Sequence, residues 1–286
     1  MATERYCVFG NPIAHSRSPA IHALFARQTG QDLEYTATLV DVAGSVTPDA
    51  AFAEAVHDFI AAGGKGANVT VPFKEPAWRL ADKLTPRAES AGAVNTLLFS
   101  RQAGRPHILG DNTDGAGLVC DIQQNLGLPI AGKRILLLGA GGAARGVLMP
   151  LLAEKPERIT VANRSADKAE SLVRSLASTR LNACALSDLE KLSAYDMVIN
   201  ATAASLSGNT LSLPQRLYAP GALAYDMMYG QAALPFQAKA RAQGAAICAD
   251  GLGMLVEQAA ESFWLWRQVR PQTAGVLREM RGGLGG

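Results

Sequence analysis

Residues Ile135-Leu136-Leu137-Leu138 run straight into Gly139-Ala140-Gly141-Gly142-Ala143-Ala144. Four consecutive apolar residues read as a strand, and the glycines that follow fit a tight turn into a helix. The spacing is G-x-G-x-x-A. Gly139 permits the turn, Gly141 lets the backbone approach a pyrophosphate, and the small Ala144 lets the helix pack on the strand. The helix start then presents unpaired N–H groups to the phosphates. A strand, glycine turn and helix in that order is one unit of a parallel α/β sheet with a dinucleotide ligand.

The next strand, Arg158 to Ala162, bears on which dinucleotide. A carboxylate at its end would take a ribose 2′-hydroxyl. The chain instead reads Asn163-Arg164-Ser165-Ala166-Asp167-Lys168. Arg164 can fork onto a 2′-phosphate, with Ser165 and Lys168 beside it, so NADP is favoured over NAD. Asp167 would spoil this if it turned inward. Ser165 also serves as a helix N-cap, and the two roles are compatible.

The glycine turn sits in mid-chain, and β-α alternation occurs on both sides of it. Upstream, Arg5 to Gly10, Leu33 to Leu39 and Ala67 to Val71 read as strands. Helices start at Ser18-Pro19 and at Asp49, and Pro72 ends the third strand. Downstream, a helix from Thr113 to about Gly127 precedes the glycine turn, and strand and helix signals then recur to Met227. The chain is therefore expected to form two α/β domains. The first, mostly parallel, covers 1–112 and binds substrate; the second, 113–250, is a Rossmann-type cofactor domain. Residues 251–286 complete the first, because the Trp- and Leu-rich helical stretch Met254 to Met280 needs an apolar partner.

Composition narrows the class. Of 286 residues, 48% are hydrophobic and 18% charged, which excludes wholesale disorder. Lys plus Arg is 27 and Asp plus Glu is 25, a net charge of +2, so no basic field calls for nucleic acid or an anionic membrane. The start lacks an apolar signal stretch, and no apolar run is long enough to span a bilayer. Cys7, Cys120, Cys184 and Cys248 form no C-x-x-C pair, which argues against a zinc knuckle or a disulfide framework. They read as small core residues, no metal site is expected, and the compartment expected is the cytoplasm.

Polar groups collect on loops that leave strands of the first half, where open α/β sheets bind ligands. Gly10 to Pro19 carries Ser16 and Ser18, although Ser18 is equally read as an N-cap. Asn68 to Glu75 carries Thr70 and Lys74. Ala93 to Thr96 adds Asn95. Gly110-Asp111-Asn112-Thr113-Asp114-Gly115 adds Asp111, while Asp114 at a helix start reads as a dipole partner.

These motifs together resemble the shikimate dehydrogenase family over nearly the full length. They are G-N-P-I-A-H-S-R-S-P at Gly10 to Pro19, N-V-T-V-P-F-K at Asn68 to Lys74, A-G-A-V-N-T at Ala91 to Thr96 and G-D-N-T-D-G at Gly110 to Gly115. G-A-G-G-A at Gly139 to Ala143, N-R-S at Asn163 to Ser165, D-M-M-Y at Asp226 to Tyr229 and G-L-G-M-L-V-E-Q-A at Gly251 to Ala259 follow. The resemblance implies NADP-dependent hydride transfer between 3-dehydroshikimate and shikimate, in aromatic amino-acid biosynthesis. It implies that Ser16 and Ser18 hold the substrate carboxylate, that Thr70, Asn95 and Gln258 hold ring hydroxyls, and that Tyr229 lines the site. Lys74 and Asp111 would be the catalytic pair. Gly139, Ala140, Gly141, Gly142 and Ala143 would cradle the pyrophosphate. Asn163, Arg164, Ser165 and Lys168 would surround the adenosine end, and Met227 and Gly251 would lie against the nicotinamide.

The chain departs from the family pattern in two places. Asn200-Ala201-Thr202-Ala203-Ala204-Ser205 stands where N-A-T-S-x-G is usual, and Lys168 stands where Arg is common. Two other readings compete with the first: a dehydrogenase of the same fold that takes quinate or NAD, and a non-catalytic NADP-binding regulator. Partners beyond the small-molecule substrate are not expected, and the resemblance allows a monomer or a homodimer.

Overall fold

The first apolar run, Tyr6 to Phe9, lies in strand β1 (Glu4–Gly10) of a computed structural model that describes residues 3–43, 47–202 and 213–283. The chain divides into two compact units, residues 1–117 with 256–283, and residues 118–255.

In the first unit β1 pairs in parallel with β2 (Leu33–Leu39) and β3 (Gly64–Val69). Helix α1 (Ser18–Thr29) and helix α2 (Pro48–Ala61) make the two crossovers. Helix α1 ends as its sequence predicts, on Gly30 in the left-handed region at φ 63°. Its start differs: Arg17 occupies the N-cap position without a side-chain bond, Ser18 is already helical, and the Ser16 hydroxyl accepts from the Ser18 N–H at 3.3 Å. Ser18 is therefore not the cap. Helix α2 is capped by the Thr47 hydroxyl and not by Asp49, which sits in its first turn.

Beyond short helix α3 (Lys74–Leu80), strand β4 (Lys83–Leu84) and helix α4 (Pro86–Ala91), the sheet turns antiparallel. Strands β5 (Thr96–Gln102) and β6 (Arg105–Asp111) form a hairpin, and β5 runs against β3. The two hairpin residues, Ala103 and Gly104, both have positive φ (49° and 79°), the geometry that matches strand twist. The six strands order as β2-β1-β3-β5-β6-β4. The strand signals of the sequence do not include this hairpin.

Helix α5 (Asp114–Cys120) continues into a π-helical turn, Asp121–Asn125. In the second unit strands β7 (Arg134–Leu138), β8 (Arg158–Asn163), β9 (Leu181–Ala185), β10 (Tyr195–Asn200), β11 (Tyr218–Asp226) and β12 (Ile247–Asp250) form one sheet. Every pairing is parallel, in the order β12-β11-β10-β7-β8-β9. That is the 3-2-1-4-5-6 order of a dinucleotide-binding sheet read from its other edge. Helices α6 (Gly142–Ala153), α7 (Ala166–Leu176) and α8 (Leu234–Ala242) make crossovers. Strand β7 is buried on both faces: Ile135 and Leu137 pack with Val147, Leu148 and Leu151, while Leu136 and Leu138 pack with Val198 and Ala224. That is why its sequence is continuously apolar and not alternating.

The C-terminal stretch is two helices, α9 (Leu252–Arg267) and α10 (Thr273–Gly282), broken at Gln268 (φ 54°) and Pro271. From Val256 on they belong to the first unit. Trp266 stacks on Tyr6 at 4.8 Å between centroids and donates its indole N–H to the Leu97 carbonyl at 2.9 Å. Phe263 and Trp266 are buried there, each stabilising the fold by about 2–3 kcal/mol on area alone. The cysteines correct a uniform expectation: all four are free, but only Cys7 is a core residue and the others are half-buried. Among the described residues no helix is long and apolar enough to cross a membrane, and no cluster of metal-ligating side chains occurs.

Candidate functional site

Strand register gathers the polar loops of the first unit at one end of its sheet. Asn68 near the end of β3 pairs with Thr96 at the start of β5, and Thr96 pairs with Asp111 at the end of β6. The loops after β1 and β3 are tied together, the Asn11 N–H donating to the Val71 carbonyl at 3.2 Å and the Thr70 N–H to the Phe9 carbonyl at 2.9 Å. Ser16, Thr70 and Asn95 lie on the loops here, Ser18 and Lys74 on the first residues of α1 and α3, and Asp111 on the last residue of β6.

Lys74 opens α3, and its ammonium donates to Asp114 Oδ2 at 2.6 Å. The pair is half-buried, with side-chain exposures of 30% and 12%. Asn95 fixes the other carboxylate oxygen, its Nδ2 donating to Asp114 Oδ1 at 2.8 Å. The same amide reaches Thr113 Oγ1 (3.0 Å) and Gln258 Oε1 (3.2 Å), and Asn95 Oδ1 accepts from the Thr113 N–H at 2.9 Å. Gln258 comes from α9, so the C-terminal helix completes the cluster. Behind it, Asn68 Nδ2 donates to Ser262 Oγ at 2.9 Å and Tyr35 donates to Asn68 Oδ1 at 2.7 Å. Asn95 is 3% exposed, and its amide nitrogen is shared among Thr113, Asp114 and Gln258.

Asp111 does not pair with Lys74, contrary to the expectation from sequence. It is 2% exposed and its carboxylate is taken by α4. Arg87 grips it with two bonds, Nε to Oδ1 at 2.7 Å and Nη2 to Oδ2 at 2.6 Å, and the Thr85 hydroxyl donates to Oδ1 at 2.5 Å. Burial alone would raise the Asp111 pKa. The guanidinium, the hydroxyl and the Asn112 N–H outweigh burial and hold the carboxyl below its ordinary range. Both oxygens are engaged, Oδ1 by three donors and Oδ2 by Arg87, and neither is bonded to the Lys74 ammonium. The lysine's carboxylate is Asp114, three residues on.

In the second unit the glycine turn leaves the carboxyl end of β7, where the strand order reverses. Gly139 has φ 105°, and a Cβ there would meet Thr202 and the Ala201 backbone at 3.1–3.3 Å. Around Gly141 and Gly142 the space is open. Helix α6 starts there with no side-chain cap, leaving its first N–H groups for a ligand. Ala140 lies in the same turn, and Ala143 is the second residue of α6. Past β8, Arg164, Ser165 and Lys168 are exposed, and Asn163 Nδ2 donates to the Ser165 carbonyl at 3.1 Å. Among the described residues neither Arg164 nor Lys168 joins an ion pair. Gly251 lies so close to Met227 that a Cβ would collide with its carbonyl oxygen, so these two predicted residues do come together. Tyr229 belongs to this second unit, at the start of the turn Gly230–Ala233. Asn200 accepts from both the Thr202 N–H and hydroxyl (3.1 and 2.7 Å); the altered positions Ala203, Ala204 and Ser205 lie outside the described residues.

Three family profiles match along the chain: Shikimate dehydrogenase substrate binding domain at 8–97, Shikimate / quinate 5-dehydrogenase at 122–210, and Shikimate 5′-dehydrogenase C-terminal domain at 251–281. A shikimate dehydrogenase (NADP(+)) of Dechloromonas aromatica is 60% identical over 98% of this chain and 98% of its own length. The chain belongs to the shikimate dehydrogenase family. Among solved structures, an Ael1 enzyme from Pseudomonas putida superposes with a TM-score of 0.87 at 45% identity, covering 96% of this chain and 97% of that one. Shikimate 5-dehydrogenase from Thermus thermophilus, in complex with NADP(H) and shikimate, superposes at 0.80 with 30% identity, covering 98% and 100%.

Within this shikimate dehydrogenase fold, the residues that sequence reasoning missed are Asp114 as the lysine's partner, and Thr85 and Arg87. The signal for the first was present: the segment 111–114 offers two carboxylates for one lysine. Thr85-Pro86 has the N-cap and N1 chemistry of a helix start, but nothing in Arg87 itself marks it as half of a buried pair.

Proposed function

We propose that this chain catalyses the reversible NADP-dependent interconversion of 3-dehydroshikimate and shikimate, with Lys74 and Asp114 as the catalytic pair. The observation that carries this is the 2.6 Å ion pair between them, held at the ligand-binding end of the sheet. Ser16 and Ser18 bind the substrate carboxylate, Thr70, Asn95 and Gln258 bind ring hydroxyls, and Tyr229 lines the site. Asp111 leaves the catalytic pair and takes a supporting place behind it.

The second unit fits NADP. Open space at Gly141 and Gly142 and the uncapped start of α6 suit a pyrophosphate, and Arg164 and Lys168, exposed and in no ion pair among the described residues, suit a 2′-phosphate. NADP, when bound, supplies the hydride chemistry. The Lys74 ammonium stabilises the negative charge that collects on the substrate ketone oxygen and gives that oxygen a proton. In the oxidising direction the same nitrogen takes the proton back. Asp114 fixes where the ammonium points, and Asn95 fixes Asp114. Aromatic amino-acid biosynthesis is the setting standard for this family, and the chain works there as a cytoplasmic monomer or homodimer on a small-molecule substrate, with no nucleic-acid or membrane partner.

The test is nicotinamide absorbance with shikimate or quinate, each with NADP or NAD. NADP with shikimate is expected to give the highest kcat/KM. Absence of NADP-dependent shikimate oxidation, alongside measurable NADPH binding, would return the chain to a non-catalytic role.

A further inference from the structure

Arg87 makes more bonds than a helix-surface arginine needs. Besides its two bonds to Asp111, its Nη1 lies 3.5 Å from Glu261 on α9, and Glu261 also meets Arg270 at 2.6 Å. One guanidinium therefore touches the loop that precedes Asp114 and the helix that carries Gln258.

That loop is fastened at each residue. The Thr85 N–H donates to the Gly110 carbonyl (3.0 Å), and the Asn95 N–H to the Asp111 carbonyl (3.0 Å). Asn112 Nδ2 donates to the Ala93 carbonyl (3.0 Å), the Thr113 N–H to Asn95 Oδ1 (2.9 Å), and the Asp114 N–H to Asn112 Oδ1 (3.2 Å). Charge enters this set only at Asp111 and Asp114, one taken by Arg87 and the other by Lys74. Two carboxylates three residues apart compete for one lysine unless something engages the first. A planar fork with two parallel bonds does so with geometric selectivity that a point charge lacks.

We propose that Arg87 is a positioning residue: by gripping Asp111 it sets the 110–114 loop so that Asp114 receives Lys74, and through Glu261 it ties that loop to α9. This rests on the Lys74–Asp114 reading above. Arg87 touches no reacting group, so its effect is expected in turnover and not in cofactor binding.

The test compares Arg87→Met, Arg87→Lys and the double variant Arg87→Met with Asp111→Asn in the full chain. Readouts are kcat, KM for NADP, thermal stability, and amide hydrogen exchange at Asn112 to Asp114. Arg87→Met is expected to lower kcat about 10–100-fold through misplacement of Asp114, leaving KM for NADP within about twofold. Loop amides should exchange at least about tenfold faster. The double variant, which removes the uncompensated buried carboxylate, should regain stability without regaining kcat. Arg87→Lys should fall between wild type and Arg87→Met. If Arg87→Met does not fold, the double variant and Arg87→Lys carry the same readouts. Wild-type kcat in a folded Arg87→Met or double variant, or unchanged loop exchange, overturns the proposal. A wild-type protein that fails to oxidise shikimate overturns the catalytic reading instead, and the exchange data then decide the positioning alone.

Discussion

On the function proposed above, the two units recognise their ligands in opposite ways. The second works with backbone: a glycine turn, an uncapped helix start and two exposed cations, contributed by a few short stretches of chain. The first works with side chains that hold one another, Lys74, Asp114, Asn95, Thr113 and Gln258, drawn from segments as far apart as α3 and α9. A backbone site tolerates most substitutions that keep the glycines. A saturated side-chain network does not, because each group removed leaves a buried partner unsatisfied.

The largest expected effect breaks that contrast at its centre. Lys74→Met should lower kcat by about 10²–10⁴-fold, since it removes the proton donor and the charge that stabilises the reacting oxygen. Asp114→Asn should follow at about 10²-fold by releasing the ammonium from its fixed position. NADP binding, measured by fluorescence titration of each variant, should stay within about threefold because both residues belong to the first unit and the glycine turn to the second. A tenfold loss of NADP affinity in either would show that the two units do not divide the work in this way.

The same contrast explains what the sequence discloses. The Rossmann unit was legible because its signals are local: strand, turn and helix start lie within one stretch, and the apolar run states its own burial. The identities of the polar residues in the first unit were also legible, as motifs. Their pairing was not. Asp111 and Asp114 differ in role only because Arg87, more than twenty residues upstream, occupies the first, and no period or propensity encodes a contact across that distance. The β5–β6 hairpin escaped for a related reason: Ala103-Gly104 carries only half of the usual two-residue turn signature.

Next in size is a stability effect that separates the two carboxylates. Asp111→Asn leaves Arg87 facing an amide in a buried site and should cost about 3 kcal/mol in urea denaturation. Its turnover per folded molecule should fall less than that of Asp114→Asn. In the wild type the Asp111 carboxyl is held below its ordinary range. Its stabilisation is therefore complete above the unfolded value, about pH 4, and is lost as the pH falls through the folded value. Equal stability losses in the two variants would erase the distinction between them.

His22 gives a smaller effect at milder pH. It lies fully buried with its ring stacked on Tyr35 at 4.2 Å, beside Phe25, Phe263 and Trp266, and burial pushes its pKa down to about 3. The unfolded chain binds a proton on this histidine near pH 6.5 while the folded chain does not. Stability is then full above that pH and declines below it, by about 2 kcal/mol between pH 6.5 and 5. His22→Phe should flatten the curve in this window, where carboxylates remain ionised. An unchanged slope in chemical denaturation would assign the dependence elsewhere.

The smallest effect tests the backbone site where it does use side chains. Arg164 is exposed and joins no ion pair among the described residues, so its charge is available to a ligand without displacing a protein partner. Arg164→Ala should raise KM for NADP about tenfold, the loss of one forked phosphate contact worth about 1.4 kcal/mol. KM for NAD, which lacks the 2′-phosphate, should hardly move. Lys168→Ala should do less, because an ammonium offers a point charge and no planar fork. The ratio of the two KM values is the decisive quantity: a general loosening of the site raises both, whereas loss of a phosphate contact raises only the first. Equal increases for NADP and NAD would mean that Arg164 supports the start of α7 and does not read the nucleotide.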